Sequence, residues 1–374
     1  MKTRLILYLL LSIHFLRLEA VSHTTDFPEN AFEPQTDSYR QVVRNRFRLM
    51  HTTHKHELQI MKQTESAVTL VIGAFAVVSN LTILKVTIKL QSIGIPQVYM
   101  AALAVCDLCI GVMTSWRCVS GLVYFLSGEV STFMTYTYWP VVGADVAASI
   151  SASLIATALS VDRCLALNFP MKHPELWSTR KAKVLVTLVG VLSFVVGMNY
   201  PMRHKISKSN PLRTTTQVPS EATALGRQAD FSKACKYVEF LLRFAIPIMV
   251  MTASNSWTLF AINRSDRFRR EMDIETSSNV KTVKCLTITL GLVVIFFLTQ
   301  LPKAAFLLDG MIFFYDHRGT LAFEIFVVAS NLLTKANSVV NVFVYLALSS
   351  EFRRNFFDII RSCKGRESSL DVSN

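Results

Sequence analysis

Seven runs of mostly apolar residues, each about 20 to 30 long, recur along this chain and set the strongest limit on its fold. They begin near Ser66, Pro96, Met134, Ala182, Tyr237, Thr282 and Thr320. A helix needs about 20 such residues to cross the hydrocarbon layer, and inside lipid every backbone amide must be satisfied within its own segment. The fold class that follows is an all-α integral membrane protein: a seven-transmembrane helix bundle. Composition agrees, with 17% charged residues over 374 positions, against about 25% in an average soluble domain.

The formal charge of +13 would suggest nucleic acid in a soluble protein. In a membrane protein Lys and Arg gather in cytoplasmic loops instead, so no nucleic-acid partner is implied. Arg180, Lys181 and Lys183 follow span three; Arg264, Arg267, Arg269 and Arg270 follow span five; Arg353 and Arg354 follow span seven. All fall on one side if the N-terminus is extracellular. The loop between spans four and five is also basic (Arg203, Lys205, Lys208, Arg213, Arg227, Lys233, Lys236) and blurs the rule.

Residues 1–22 have the basic start, short apolar core and small residues of a secretory signal peptide, with an uncleaved anchor as the alternative. Residues 23–65 read as a poorly ordered extracellular tail, 66–348 as the membrane domain, and 349–374 as a short C-terminal interfacial helix (SEFRRNFFDII) with a cytoplasmic tail. Cys363 beyond that helix is either a palmitoylation site or a free thiol. The cysteines follow no zinc spacing, and there is no phosphate loop or nucleophile–base set. Neither an enzyme nor a metal protein is indicated.

A charged side chain inside hydrocarbon is costly and should face the bundle interior. Asp107 is therefore expected to meet Asn80, Asn337, Ser338 and Asn341 in a polar cluster between spans one, two and seven. With Asp162-Arg163-Cys164 ending span three, Pro247 in span five, FFLTQLP around Pro302 and NSVVNVFVY in span seven, the order and spacing resemble the rhodopsin-like (class A) G-protein-coupled receptors over Ser66 to Ile360. SVDRCLAL and NVFVYLALSSEFRR resemble divergent invertebrate members of molluscan chemosensory or FMRFamide type.

The resemblance implies a multi-pass plasma-membrane receptor, surrounded by lipid, that carries an extracellular ligand's signal to heterotrimeric G proteins. It implies a sodium ion near Asp107, a resting pair between Asp162 and Arg163, and a switch role for Tyr345. Several family positions differ here: Val342 stands for the proline after Asn341, Gln300 and Gly190 for tryptophans, Asn255 for a tyrosine, and Thr282 for an acid that would lock Arg163. Tyr138 occupies the place of the family's span-three cysteine. Cys235 stands where its partner would be, which leaves Cys118 as the nearest alternative for a disulfide.

Asp145 lies eighteen residues before Arg163 on the same helical face, about 27 Å towards the outer side. Arg117, Arg243, Lys303 and Lys335 fall, by the same resemblance, at ligand-cavity positions. The expected cavity thus carries four cations and one anion, with Lys335 paired to Asp145 and the other three in excess. Arginines there suit bidentate recognition of carboxylate or phosphate, so the expected ligand is an anionic or zwitterionic small molecule or peptide. Snorkelling of Arg117 and Lys303 is the plainer reading. Two other functions remain open: an opsin-like photoreceptor with retinal on Lys335 and Asp145 as counterion, and a transporter with these charges along its path.

Overall fold

A computed structural model describes residues 53–89, 94–127, 131–206, 220–272, 279–312, 320–348 and 352–358. The expected signal peptide, most of the tail and Cys363 lie outside these residues. The seven long helices are α1 (Lys55–Lys89), α2 (Ile95–Ser127), α3 (Thr132–Asn168), α4 (Thr179–Gly197), α5 (Ile246–Met272), α6 (Asn279–Ile312) and α7 (Leu321–Leu348). A short helix α8 covers 352–358. Five of the seven begin within three residues of where hydropathy places them, and the fifth run, expected from Tyr237, opens in the helix that leads into α5. The first begins at Lys55 rather than Ser66, so residues 55–65 are helical and not a loose tail. They are polar enough to hide from a hydropathy reading, and they extend α1 beyond the apolar zone.

Five described stretches are long and apolar enough to cross a membrane: His56–Ile88, Ile95–Tyr124, Thr132–Asn168, Thr179–Arg203 and Leu321–Ala347. Helices α5 and α6 complete the bundle. Val71, Phe75 and Val78 on α1, and Val184, Leu188 and Val191 on α4, are exposed. Such broad apolar faces suit lipid, not water.

Contacts run from α1 to α2, α2 to α3, α3 to α4 and α5, α6 to α7, and α7 back to α1. Helix α3 is therefore the central post. Ser131 caps its start by accepting from the Met134 amide at 3.2 Å. It approaches α4 through facing glycines: a Cβ on Gly143 would sit 2.5 Å from the Gly197 carbonyl oxygen, so any larger residue would push the two helices apart.

Helix α5 continues an entry helix, Ala229–Phe240, through one π-helical turn, Leu241–Ala245, in which the Ile246 amide donates to the Leu241 carbonyl. The cause is local. Pro247 has no amide proton, and its ring would crowd the carbonyl four residues earlier, that of Arg243. Widening the turn relieves the crowding and turns Arg243 into the bundle, where it is buried.

Helix α7 runs unbroken through Asn341 and Val342. Val342 packs with Ile83, Val86, Ala104, Tyr345 and Phe352, which accounts for an apolar branched residue where the resembled family has proline. Phe352 brings α8 into the same core. The bundle is all-α as expected; beside it, in the connection between α4 and the α5 entry helix, a short antiparallel pair joins β1 (His204–Ile206) to β2 (Ser220–Ala222). This segment is polar and leaves the bundle, so strand pairing can satisfy its backbone.

Candidate functional site

At the end of the bundle opposite Arg163, helices α1, α2, α3, α6, α7 and the α5 entry segment surround a cavity of about 470 Å³. All five expected residues line it: Arg117, Asp145, Arg243, Lys303 and Lys335. Lys335 Nζ reaches both Asp145 oxygens at 2.7 Å, and Arg117 Nη1 reaches Oδ2 at 3.1 Å. One buried carboxylate therefore ties α7 and α2 to α3. Arg117 and Lys303 turn inward, so snorkelling does not describe them.

The expected charge pattern is corrected by three further residues. Lys62, Glu65 and Glu239 also line the cavity, giving five cations against three carboxylates. Arg243 is not in excess, because Glu239 holds it at 3.3 Å while Tyr200 donates to the same carboxylate at 3.0 Å. Arg117 shares Asp145 with Lys335, so this group of three keeps one net positive charge. Lys62 bridges Glu65 at 3.4 Å and Glu324 of α7 at 3.3 Å. Lys303 donates to Asn331 Oδ1 at 2.7 Å, and Asn331 Nδ2 donates to Glu65 Oε1 at 3.0 Å. Hydropathy could not have singled these out. Lys62 and Glu65 precede the apolar run, Glu239 lies in a helix resembling any amphipathic surface helix, and Asn331 is a neutral residue in an apolar span.

Cys118 lines the cavity, whereas Cys235 sits in the entry helix and not in the lining. Both are free thiols, so the expected disulfide is not formed. Tyr138, at the family's cysteine position, instead joins an aromatic group with Trp116 and Trp139.

Midway down the bundle the expected polar cluster assembles. Asn341 Nδ2 donates to Asp107 Oδ2 at 2.7 Å, and Asn80 Nδ2 donates to the Ser338 carbonyl at 2.8 Å. Thr299 of α6 donates to Asn337 Oδ1 at 3.0 Å. Asn255 reaches Ser160 at 3.4 Å, so the residue replacing the family's span-five tyrosine ties α5 to α3. Asp107, Ser160, Asn337 and Asn341 border a cavity of about 30 Å³. That is room for about one water or small ion, and these oxygen donors fit a hard monovalent cation. Tyr345 is fully buried between this cluster and Phe352, and its hydroxyl has no hydrogen-bond partner among the described residues.

At the far end of α3, Arg163 Nε donates to Asp162 Oδ2 at 2.9 Å. The other carboxylate oxygen is engaged by His173 Nε2 at 3.0 Å. His173 was not visible as a partner in the sequence, because it comes from the short α3–α4 connection eleven residues later. The Thr282 side chain lies outside the described residues.

A central helix with a charged cavity at one end, a carboxylate–amide cluster at mid-depth and an Asp–Arg pair at the other end describes a seven-helix receptor. Residues 76–345 match the family described as 7 transmembrane receptor (rhodopsin family). The chain belongs to that family. It is 25% identical to adenosine receptor A3 of Bos taurus over 80% of this chain and 90% of the relative. It is 24% identical to melanin-concentrating hormone receptor 2 of Homo sapiens over 79% and 84%, and 26% identical to galanin receptor type 2 of Homo sapiens over 58% and 52%. Family membership makes the chain a multi-pass plasma-membrane receptor, not an enzyme, and displaces the transporter alternative.

Proposed function

We propose that this receptor binds an anionic or zwitterionic ligand in the charged cavity and passes the signal to heterotrimeric G proteins at the Arg163 end, with its N-terminus outside the cell. The observation that carries the ligand class is the cavity: its lining holds five cations and three carboxylates, and with Glu324 behind Lys62 one positive charge remains in excess. Buried charge of one sign is costly unless a partner compensates it, and an acid group on the ligand supplies the balance. Orientation is supported by Lys172, Arg180, Lys181, Lys183, Arg353 and Arg354, which flank the Arg163 end. Relatives named for galanin, a hormone and adenosine support either a peptide or a small molecule. A sodium ion at Asp107 fits the same reading, steadied by Asn337, Asn341 and Ser160.

The retinal reading fares worse. A polyene needs an apolar sleeve, and the space beside Lys335 is ringed by charges. The test is a second-messenger screen in cells against acidic metabolites, amino acids and peptides. An acid-bearing agonist is expected, with its potency lowered about tenfold or more in at least one of Lys303→Ala, Arg243→Ala and Lys335→Ala. Activation by neutral or cationic ligands alone, or full potency in all three variants, would refute the ligand class.

A further inference from the structure

We infer that Lys303 and Asn331 form the acid subsite of the cavity, where the carboxylate of an organic acid with an apolar body is received; this rests on the ligand class proposed above and names where its charge is met. Among the described residues, four of the five cavity cations already hold a carboxylate. Lys335 and Arg117 share Asp145, Arg243 has Glu239, and Lys62 has Glu65 and Glu324. Lys303 has none. An ammonium offers three donors, and Lys303 uses one, towards the neutral Asn331 oxygen. Its other neighbour is the face of Phe306, 4.6 Å from Nζ, which steadies a cation without neutralising it.

Asn331 is set in place rather than loosely disposed. Glu65 accepts from its amide nitrogen, which turns the amide oxygen towards Lys303. Lys62 holds Glu65 and reaches across to Glu324, so α1 and α7 together fix the orientation. The oxygen on Lys303 is a neutral stand-in for the carboxylate that would complete the cation. Phe306, Leu307, Val142 and Val146 line the same space and offer apolar contact to the rest of such a ligand. Arg117 and Lys335 are less suited to the role. An incoming acid would have to displace Asp145, and each is already within 3.1 Å of it.

The experiment is thermal unfolding of the purified full-length receptor, titrated with phenylacetate, phenylpropionate, phenylalanine, the neutral phenylacetamide and inorganic phosphate. The organic acids are expected to raise the melting temperature of the wild type, and phenylacetamide and phosphate are not. Lys303→Gln should remove the acid effect. The isosteric Asn331→Asp, which places an internal carboxylate on Lys303, should weaken apparent acid affinity about tenfold or more. Organic acids that protect Lys303→Gln and Asn331→Asp as well as the wild type would overturn the subsite and leave the ligand class standing. Protection by phosphate or phenylacetamide equal to that by the acids would also overturn it. If no organic acid protects the wild type, the ligand class and the subsite fall together. Lys303→Gln should melt within a few degrees of the wild type without ligand, which separates lost binding from lost folding; Asn331→Asp also sets a carboxylate oxygen against Glu65, so its acid response is read against its own unliganded melting temperature.

Discussion

Asp107 and Asp145 are both buried carboxylates inside the bundle, yet they are held in opposite ways. Asp145 sits between two cations, Lys335 and Arg117. Asp107 receives an amide hydrogen bond from Asn341 beside a small cavity. Mutual attraction of charges in a low-dielectric interior makes the first a clamp on three helices. The second is a buried carboxyl group with a neutral amide as its partner, so its helices can shift without separating opposite charges. Rigidity at the cavity end and latitude at mid-depth suit a molecule that must hold a ligand and still rearrange below it.

The contrast is open to direct attack. Asp145→Ala strands Lys335 and the partly exposed Arg117 and should cost about 3–5 kcal/mol, read as lost surface expression and a lower melting temperature in detergent. The double variant Asp145→Ala with Lys335→Ala should recover part of that loss. Val342→Pro removes a helix hydrogen bond in an unbroken helix, and should cost about 3 kcal/mol by the same melting assay. Asn341→Ala takes the amide donor from Asp107 and should cost about 1.5–3 kcal/mol; a loss as large as that of Asp145→Ala would erase the distinction between the two sites. His173→Ala leaves Asp162 to Arg163 alone. It should change basal second-messenger output about fivefold or less, as expected for one hydrogen bond of about 1 kcal/mol.

The smallest effect lies outside the spans. Burial, then the charges of Arg203 and Lys236, hold the His204 imidazole below its usual range. The folded state therefore favours the neutral ring, stacked 4.5 Å from Trp139. This contribution is present above about pH 6.5, where the unfolded ring is also neutral, and is lost as pH falls through the lower folded value. Melting temperature should drop modestly on acidification, and less so in His204→Gln.

Much of this was legible because it obeys two simple periods. Apolar runs of membrane length gave away the helices, and Asp145, Asp162 and Arg163 could be placed on α3 by counting turns. The Lys335–Asp145 pair followed from the cost of leaving either alone in hydrocarbon. What escaped was polar and local. Residues 55–65 carry too many charges for a hydropathy reading to join them to α1, and with them went Lys62 and Glu65. Glu239 was hidden because a buried glutamate on a mixed helix has no periodic signature until its partner Arg243 is turned inward. The π turn had a readable cause, Pro247 four residues after Arg243, yet its consequence depends on what that turn then faces. Two cysteines on the expected side suggested a bridge, and only their surroundings showed that they do not meet.

The Asp145 clamp also bears on how this chain can change over generations. Losing Arg117 or Lys335 alone still leaves Asp145 a cation, whereas losing Asp145 strands both, so the anion is the member that cannot be replaced by itself. Across its near relatives, a neutral residue at position 145 should be accompanied by neutral residues at 117 and 335, while either cation can vary alone.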